Sequence, residues 1–246
     1  MRANPDGYTI ELGQIGTHAV ARALYPNLAY KPDVDFAPIG LVVDQAVVIV
    51  ARKNFPPNDL KEFATYLRAN ADKLNMAHSG IGSISHFSGL LLNKVLGATP
   101  TLVPFGGGAP AVNALIGGQI DYMCEPISEI VQQAQAGTIK IYATGMLDRN
   151  PALPGVPTTK EAGLPDFQVS AWYALFAPKG TAQGILDDLS NALDKALDDD
   201  KTRQRLADLG CAIPAKSKRG QKELAGLVKN EIARWSPIIR AASSKE

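Results

Sequence analysis

The sequence predicts an α/β fold with two lobes, and three observations carry this prediction. Short apolar runs typical of strands alternate with amphipathic helical runs through the middle of the chain. Glycines stand at several strand-to-helix junctions, where they allow tight turns. The length of 246 residues is enough for two domains that each bury a core. The spacing of strands and helices indicates parallel β-α-β units.

Two strands are predicted early in the chain. Residues 8–12 are predicted as a strand after a turn, and a short helical stretch beyond them ends at Leu24. Closely spaced prolines predict an irregular segment over residues 27–39. Residues 41–51 are dense in valine, which suits a strand that is buried on both faces.

Helices and strands then alternate. Leu60, Phe63, Ala64 and Leu67 share one face of a predicted helix. Three further apolar-periodic runs are predicted as helices over residues 84–96, 109–116 and 127–135. The short apolar runs around them are predicted as strands over residues 74–77, 101–104, 120–124 and 139–144.

The last part of the chain predicts one strand and two helices. A proline-rich connection over residues 151–165 leads to an aromatic strand over residues 168–177. Two closing helices each show one apolar face. These faces are formed by Leu186, Leu189, Leu193 and Leu197 in the first helix and by Leu224, Leu227, Val228, Ile232, Trp235 and Ile239 in the second.

Charge and cysteine content exclude several classes of function. Twenty-five basic and 24 acidic residues leave a net charge of +1, which argues against nucleic-acid binding. Cys124 and Cys211 have no ligand spacing, so neither a metal site nor a disulfide framework is predicted, and no cofactor motif is present. The longest apolar stretch, residues 42–51, is far short of the roughly 20 residues that span a membrane. The amino terminus shows no apolar signal region.

Ser79-Gly80-Ile81-Gly82-Ser83 is the most informative segment of the chain. It joins a predicted strand to a predicted helix, whose first turn points free N–H groups and the positive end of its dipole toward the loop. The glycines let the backbone approach a ligand, so the segment predicts an anion site. The glycines can also serve the turn alone. A nucleotide-binding loop is disfavoured, because Gly-x-Gly-x-x-Gly fails at Ser85.

Three other loops follow predicted strands at the edge where open α/β sheets bind ligands. They cover residues 13–18, 105–110 and 125–128 and, like residues 79–86, contain no Lys or Arg. Neutral donors would therefore hold an anion, which suits reversible binding. The glycines of residues 105–110 can contact a ligand or only form a turn. Glu125 can accept a hydrogen bond from a ligand or be a solvated carboxylate, and Trp172 can stack on a ligand or pack.

Two other classes of function, a hydrolase and a transcription regulator, have weaker support in the sequence. Ser83 and His86 could be neighbours in a hydrolase site, but no orienting acid accompanies them. His18, His78 and His86 lack metal-ligand spacing and are predicted as structural rather than catalytic. The effector domain of a transcription regulator would need a helix-turn-helix module, for which neither end has space. A binding protein, not an enzyme, is predicted.

Several short segments, in chain order, carry a resemblance to a known family. They are Pro5 to Thr9, Ala23 to Pro26, Tyr30 to Pro32, Asp35 to Ile39, Ser79 to His86, Val103 to Gly107, Ala109 to Ala111, Gly118 to Asp121, Val156 to Thr158, Glu161 to Gly163 and Ala177 to Thr181. Together they resemble the periplasmic solute receptors of tripartite tricarboxylate transporters, the Bug family. The resemblance covers essentially the whole chain.

The resemblance implies a type II periplasmic-binding-protein fold, with a ligand cleft between two α/β lobes. The lobes are expected over residues 1–50 plus 171–246 and over residues 51–170, with crossings near Ala51 and Ser170. It further implies a monomeric periplasmic receptor, without a cofactor, that closes on a small mono-, di- or tricarboxylate. The aromatic segment over residues 171–173 leaves an aromatic acid open as the ligand. Membrane permease subunits are the implied partners.

The resemblance also carries ligand-binding residues over to this chain. The second-lobe carboxylate loop corresponds to Ser79, Gly80, Ile81, Gly82, Ser83 and His86. More variable loops are expected to meet the other end of the ligand through Thr17, His18, Gly107, Ala109, Glu125 and Ser128. Trp172 completes the predicted set.

The chain departs from the family pattern at its start. Family members carry an export signal, a first strand, a glycine-rich loop with its helix and a second strand before the Pro-Asp-Gly-Tyr-Thr segment. The first lobe is therefore expected to be incomplete and to lack its own carboxylate loop. Three explanations stay open: the start of the sequence is assigned too late, the sequence is a fragment, or the protein is a decayed copy that no longer binds ligand.

Overall fold

The structure, a computed structural model, describes residues 3–25 and 27–243. Met1, Arg2, Pro26 and residues 244–246, all in the predicted first lobe, lie outside the described residues. The chain divides into two compact units: residues 1–44, 172–206 and 212–246 form the first unit, and residues 45–171 and 207–211 the second. It passes between them after Asp44, Ala171, Leu206 and Cys211; the sequence predicts the first two crossings near Ala51 and Ser170.

The first unit contains short elements at its start and long helices at its end. Its early elements are β1 (Glu11–Gln14), a π-helical turn (Gly16–Val20), α1 (Ala21–Leu24) and the first part of β2 (Phe36–Arg52). Its later elements, numbered in chain order after those of the second unit, are β7 (Ser170–Pro178), α6 (Gln183–Asp198), α7 (Asp200–Asp208), β8 (Cys211–Ala212), a 3₁₀ turn (Lys216–Lys218) and α8 (Gln221–Ser243). Within these elements, residues 170–171 and 207–211 belong to the second unit.

Pairing and packing hold the first unit together. β1 pairs antiparallel with β7, with Glu11 opposite Phe176 and Gln14 opposite Tyr173. α8 packs on the π-helical turn and on α1 and buries Trp235 completely. The buried Arg219 guanidinium donates to Asp198 at 2.9 Å, which ties the start of α8 to the end of α6.

Three predictions for this unit are wrong. Residues 36–39 belong to β2 and not to an irregular segment. The strand predicted at residues 8–12 begins later, at Glu11, because its bounds are set by pairing with β7; Tyr8 is 94% exposed. The described residues after β7 form three helices of more than one turn rather than two. The additional helix, α7, buries none of its residues, so it has no apolar face that periodicity could reveal.

The second unit is a sheet with helices packed against it. Its elements are the second part of β2, α2 (Leu60–Asn70), a 3₁₀ turn (Ala71–Lys73), β3 (Asn75–His78), α3 (Ile84–Leu96), β4 (Thr101–Pro104), α4 (Gly108–Ile116), β5 (Tyr122–Pro126), α5 (Ile127–Gln135) and β6 (Ile139–Thr144). The predicted apolar face of α2 is buried. No helix in the described ranges is long and apolar enough to cross a membrane.

The predicted parallel β-α-β units are confirmed for β3, β4 and β5, but the sheet of the second unit as a whole is mixed. β3 pairs parallel with β4 and with β5, but β2 pairs antiparallel with β5 and with β6. A valine-rich run that is buried on both faces fits either direction, which is why the sequence did not distinguish them. β3, β4 and β5 thus present their carboxyl ends at one edge.

Buried apolar side chains and one ion pair fix the sheet. Val48 and Val50 of β2 pack with Met123 of β5 and with apolar residues of α4 and α5. At the opposite edge, Asp121 accepts hydrogen bonds from Arg52 Nε at 3.1 Å and from the Asn75 amide at 2.9 Å. This carboxylate holds the starts of β3 and β5 to the end of β2.

Candidate functional site

The loop between β3 and α3 has a backbone that only glycines adopt easily. Gly80 has φ of +109° and Gly82 has φ of +82°. Ser83 follows in an extended conformation and caps α3, because its Oγ accepts a hydrogen bond from the His86 amide at 3.1 Å. Ile81 at the tip of the loop is 65% exposed. Glycine backbone geometry and the Ser83 cap together define the conformation of the loop.

The Ser83 cap leaves N–H groups in the first turn of α3 that can donate to a further acceptor. The first turn of an α-helix has N–H groups without intrahelical partners. Ser83 N–H bonds to the Gly80 carbonyl at 3.1 Å and Ser83 Oγ takes the His86 N–H, so the amides of Ile84 and Ser85 remain. They lie at the positive end of the α3 dipole, which favours an anion.

Two buried histidines lie under this loop. His86 Nδ1 accepts a hydrogen bond from the Gly82 amide at 3.3 Å, and the His86 ring lies 4.5 Å from the His78 ring. Burial lowers the pKa of His86 to about 4 and also lowers the pKa of His78. Both rings are therefore neutral at neutral pH and support the loop without adding charge.

Glu125 is not a solvated loop carboxylate, so that alternative from the sequence is wrong. It lies within β5, only 2% exposed, and accepts from Ser79 Oγ at 2.8 Å to Oε1 and 2.9 Å to Oε2. Burial raises the pKa of Glu125 to about 7. The hydroxyls of Ser85 and Ser79 oppose this rise, and the charge of Glu129 adds to it.

The loop before α4 lies beside the first one. The Phe105 amide donates to the His78 carbonyl at 2.9 Å, and Gly107 has φ of +152°. A Cβ at Gly108 would lie 3.1 Å from Glu125 Oε1 and 2.8 Å from a Glu129 oxygen. Glycine at position 108 therefore lets the start of α4 approach the buried carboxylate closely.

The other predicted residues of the second unit surround this region. Ala109 is exposed in the first turn of α4, and Ser128 is half-buried in the first turn of α5. The Ser128 amide donates to Gln45 Oε1 at 3.2 Å, and Gln45 is almost fully buried. Gln45 thus supplies the acceptor that the start of α5 lacks.

Thr17, His18 and Trp172 belong to the first unit. The His18 ring is fully buried and stacks on Phe176 at 4.0 Å between centroids, while Nδ1 lies 2.9 Å from Thr17 Oγ1. Burial lowers the pKa of His18 to about 4. The Trp172 side chain is also buried, and its indole N–H has no acceptor among the described residues.

These loops are free of cationic side chains. Residues 79–86, 105–110 and 125–128 contain no Lys or Arg. In the described part of the chain, no group of three or more His, Cys, Asp or Glu is arranged to hold a metal ion. The donors that the second unit offers at this edge are backbone amides and hydroxyl groups.

Comparison with known families identifies the type of protein. Residues 1–243 match the tripartite tricarboxylate transporter family receptor. The chain belongs to this family. A curated relative from Agrobacterium vitis, described as a UPF0065 protein in the TAR-I ttuE-ttuC' intergenic region, is 39% identical over 98% of this chain and 69% of its own length. Family members are periplasmic solute-binding proteins.

Solved structures of the receptor family share the fold. MatC from Rhodopseudomonas palustris, solved with bound malate, is 48% identical and superposes with a TM-score of 0.91, covering 96% of this chain and 81% of that chain. A second protein from the same organism, solved with adipate, is 27% identical with a TM-score of 0.90, covering 98% and 80%. The two-lobe periplasmic-binding-protein fold predicted from the sequence is confirmed.

The hydrolase alternative is wrong, because the homologues are solute-binding receptors and not enzymes. The geometry agrees with this result. Ser83 Oγ bonds to the backbone N–H of His86, while the His86 ring is engaged by the Gly82 amide. The imidazole is thus not hydrogen-bonded to the serine hydroxyl that it would have to deprotonate.

Sequence reasoning missed three residues of this region. Ser85 and Gly108 lie against Glu125, and Gln45 caps α5. Gln45 had a usable signal, because a polar side chain inside an apolar strand needs a hydrogen-bond partner. Ser85 and Gly108 had none, since their proximity to Glu125 arises only when β3, α3, α4 and β5 come together.

Proposed function

We propose that this chain binds a small dicarboxylate at the loop from Ser79 to Ser83 and passes it unaltered to the membrane permease of a tripartite transporter, working in the periplasm. The remaining residues of the predicted site, in both units, would contact other parts of the ligand or support those that do. The free first-turn amides of α3 are the observation that carries this proposal.

Charge supports the binding of an anion at this loop. The amides of Ile84 and Ser85 have no competing acceptor in the cap, and the helix dipole lies along α3 behind them. Gly80 and Gly82 carry no side chain that would cover these amides. A carboxylate at this point would accept two hydrogen bonds from these amides.

The class of ligand is argued from the relatives. MatC was solved with malate and the second R. palustris protein with adipate, and both molecules are dicarboxylates. Malate and adipate differ in the number of carbon atoms between their two carboxylates. We infer that one carboxylate of each ligand binds at a common loop. The other end would then meet residues that differ between receptors.

The absence of Lys and Arg from the three loops of the second unit supports release of the ligand without chemical change. When a ligand leaves a site built from buried ionic groups, an unpaired charge stays behind at a large cost. Amide and hydroxyl donors can return to water instead. Such a site suits a carrier that must give up its cargo to a permease.

Titration calorimetry tests this proposal. Malate, adipate, acetate and citrate are added separately to the purified chain, and malamide serves as a control that keeps the shape of malate without its charges. We expect saturable heat with at least one dicarboxylate, no heat with malamide, and unchanged ligand in a proton NMR spectrum afterwards. Absence of heat with every acid would contradict the proposal and favour a copy that has lost binding.

A further inference from the structure

The Ser79 hydroxyl has only one proton, and in this structure it is directed to Glu125. The distances from Ser79 Oγ to the two carboxylate oxygens are 2.8 Å and 2.9 Å, so one hydroxyl proton is shared between them. Ser79 is half-buried at the start of the anion-binding loop, whereas Glu125 is buried behind it. While Glu125 is ionised, Ser79 has no proton to offer to a ligand.

We propose that a carboxylate ligand binds this loop together with one proton, which goes to Glu125, so that the Ser79 hydroxyl turns from Glu125 to the ligand. The proton comes from solvent and forms an O–H bond on Glu125. Glu125 then donates to Ser79 Oγ, and Ser79 donates to the ligand carboxylate. This inference rests on the proposed function and names Ser79 as a ligand donor and Glu125 as the positioning residue behind it.

Repulsion between like charges also couples ligand binding to the protonation of Glu125. An ionised Glu125 and a ligand carboxylate on either side of one hydroxyl would be like charges at short range in a buried site. Glu125 already titrates near neutrality because burial raises its pKa to about 7. An added anion raises the pKa further, so the liganded protein keeps the proton over a wider pH range.

Among the described residues of the elements around Glu125, no other group accounts for such a proton between pH 7 and pH 9. Burial lowers the pKa of His78 on β3 and of His86 on α3, so both are already neutral in this range. Burial raises the pKa of the Cys124 thiol on β5, which stays protonated. α4 carries no titratable side chain, and β2 places Val48 opposite Glu125. Glu129 on α5 is the remaining carboxylate, and it is exposed.

The proposal predicts a pH dependence of ligand affinity with a definite sign. Above the pKa of Glu125 in the free protein, binding requires the uptake of one proton from solvent, so affinity falls by about tenfold for each unit of pH. Below that pKa the affinity is flat. Malate and adipate are fully ionised above pH 7, so their own protons contribute nothing in this range.

Calorimetry in buffers with different ionisation enthalpies counts the protons taken up. For wild-type protein with a dicarboxylate that binds, we expect close to one proton at pH 8.5. Glu125→Gln carries a permanent donor in place of the protonated acid, so we expect no proton uptake and an affinity that stays the same from pH 7 to pH 9. Glu129→Gln is the matched control and should keep the uptake of the wild type.

Ser79→Ala tests the contribution of the Ser79 hydroxyl to ligand binding separately from the charge of Glu125. Without the hydroxyl, the ligand loses one donor, and we expect roughly tenfold weaker binding at pH 7, in keeping with the loss of one hydrogen bond to a charged group. Binding without proton uptake in the wild type, or uptake that persists in Glu125→Gln, would overturn the inference and leave the proposed function standing. Absence of any binding would instead contradict the proposed function.

Discussion

At the scale of single residues, burial shifts the pKa values of several ionisable groups toward their neutral forms. His18 and His86 both have a pKa lowered by burial, and Glu125 has a pKa raised by burial. These shifts change stability in opposite directions over overlapping pH ranges. For the histidines, unfolding takes up protons as the pH falls from 6.5 toward 4, so stability is lost there. For Glu125, stability is lost as the pH rises from 4.5 toward 7.

His18 allows this relation to be tested away from the candidate anion loop. The His18 ring is fully buried, and its pKa is lowered to about 4. We therefore expect this residue to lower the free energy of unfolding by roughly 3 kcal/mol as the pH falls from 6.5 to 4. His18→Asn does not titrate, so urea unfolding should show a correspondingly smaller loss over this range. Lost stacking on Phe176 lowers its stability equally at every pH.

Thr17→Val is the control for His18→Asn. It removes the hydroxyl beside His18 Nδ1 but keeps the titrating ring, so its pH dependence should follow that of the wild type. Unfolding curves with the same pH dependence in wild type and His18→Asn would show that the ring is accessible to protons in the folded state.

At the scale of elements, the cap of α3 defines the candidate site more than any single side chain does. Ser83 caps α3, and Asp59 caps α2 in the same way, with Oδ1 accepting from the Glu62 amide at 2.8 Å. Both caps satisfy one first-turn amide and fix the direction in which the others point. Only the α3 cap follows a glycine loop at the carboxyl edge of the sheet.

Replacing these two caps separates stability from binding. Ser83→Ala and Asp59→Ala should each lower the free energy of unfolding by about 1 kcal/mol, measured by urea titration. Ser83→Ala should also weaken dicarboxylate binding severalfold in calorimetry, because the free amides of α3 lose their fixed orientation. Asp59→Ala should bind like the wild type, and equal losses of affinity in both variants would argue against a role for the α3 cap.

Periodicity in the sequence predicted the elements of the second unit well. The bounds of α3, β4, α5 and β6 agree with the predicted residues 84–96, 101–104, 127–135 and 139–144, since each has a clear apolar pattern. The direction of β2, the polar helix α7 and the burial of Glu125 were not predictable in this way. Each depends on contacts between residues far apart in sequence.

At the scale of the whole molecule, the proposed function is that of a carrier that binds its ligand through neutral donor groups. The chain belongs to the tripartite tricarboxylate transporter receptor family, and it divides into two compact units. The loop that the sequence singled out, residues 79–83, follows β3 and starts α3 as predicted. Its role in ligand binding remains the central proposal.

An NMR titration with malate tests this central claim most directly. With assigned ¹⁵N-labelled protein, the account predicts that the amide resonances of Ile84 and Ser85 shift with malate and saturate at the affinity measured by calorimetry. The first-turn amides of α2, capped alike, should not move. Saturable binding that shifts resonances elsewhere while residues 79–86 stay unchanged would contradict the account.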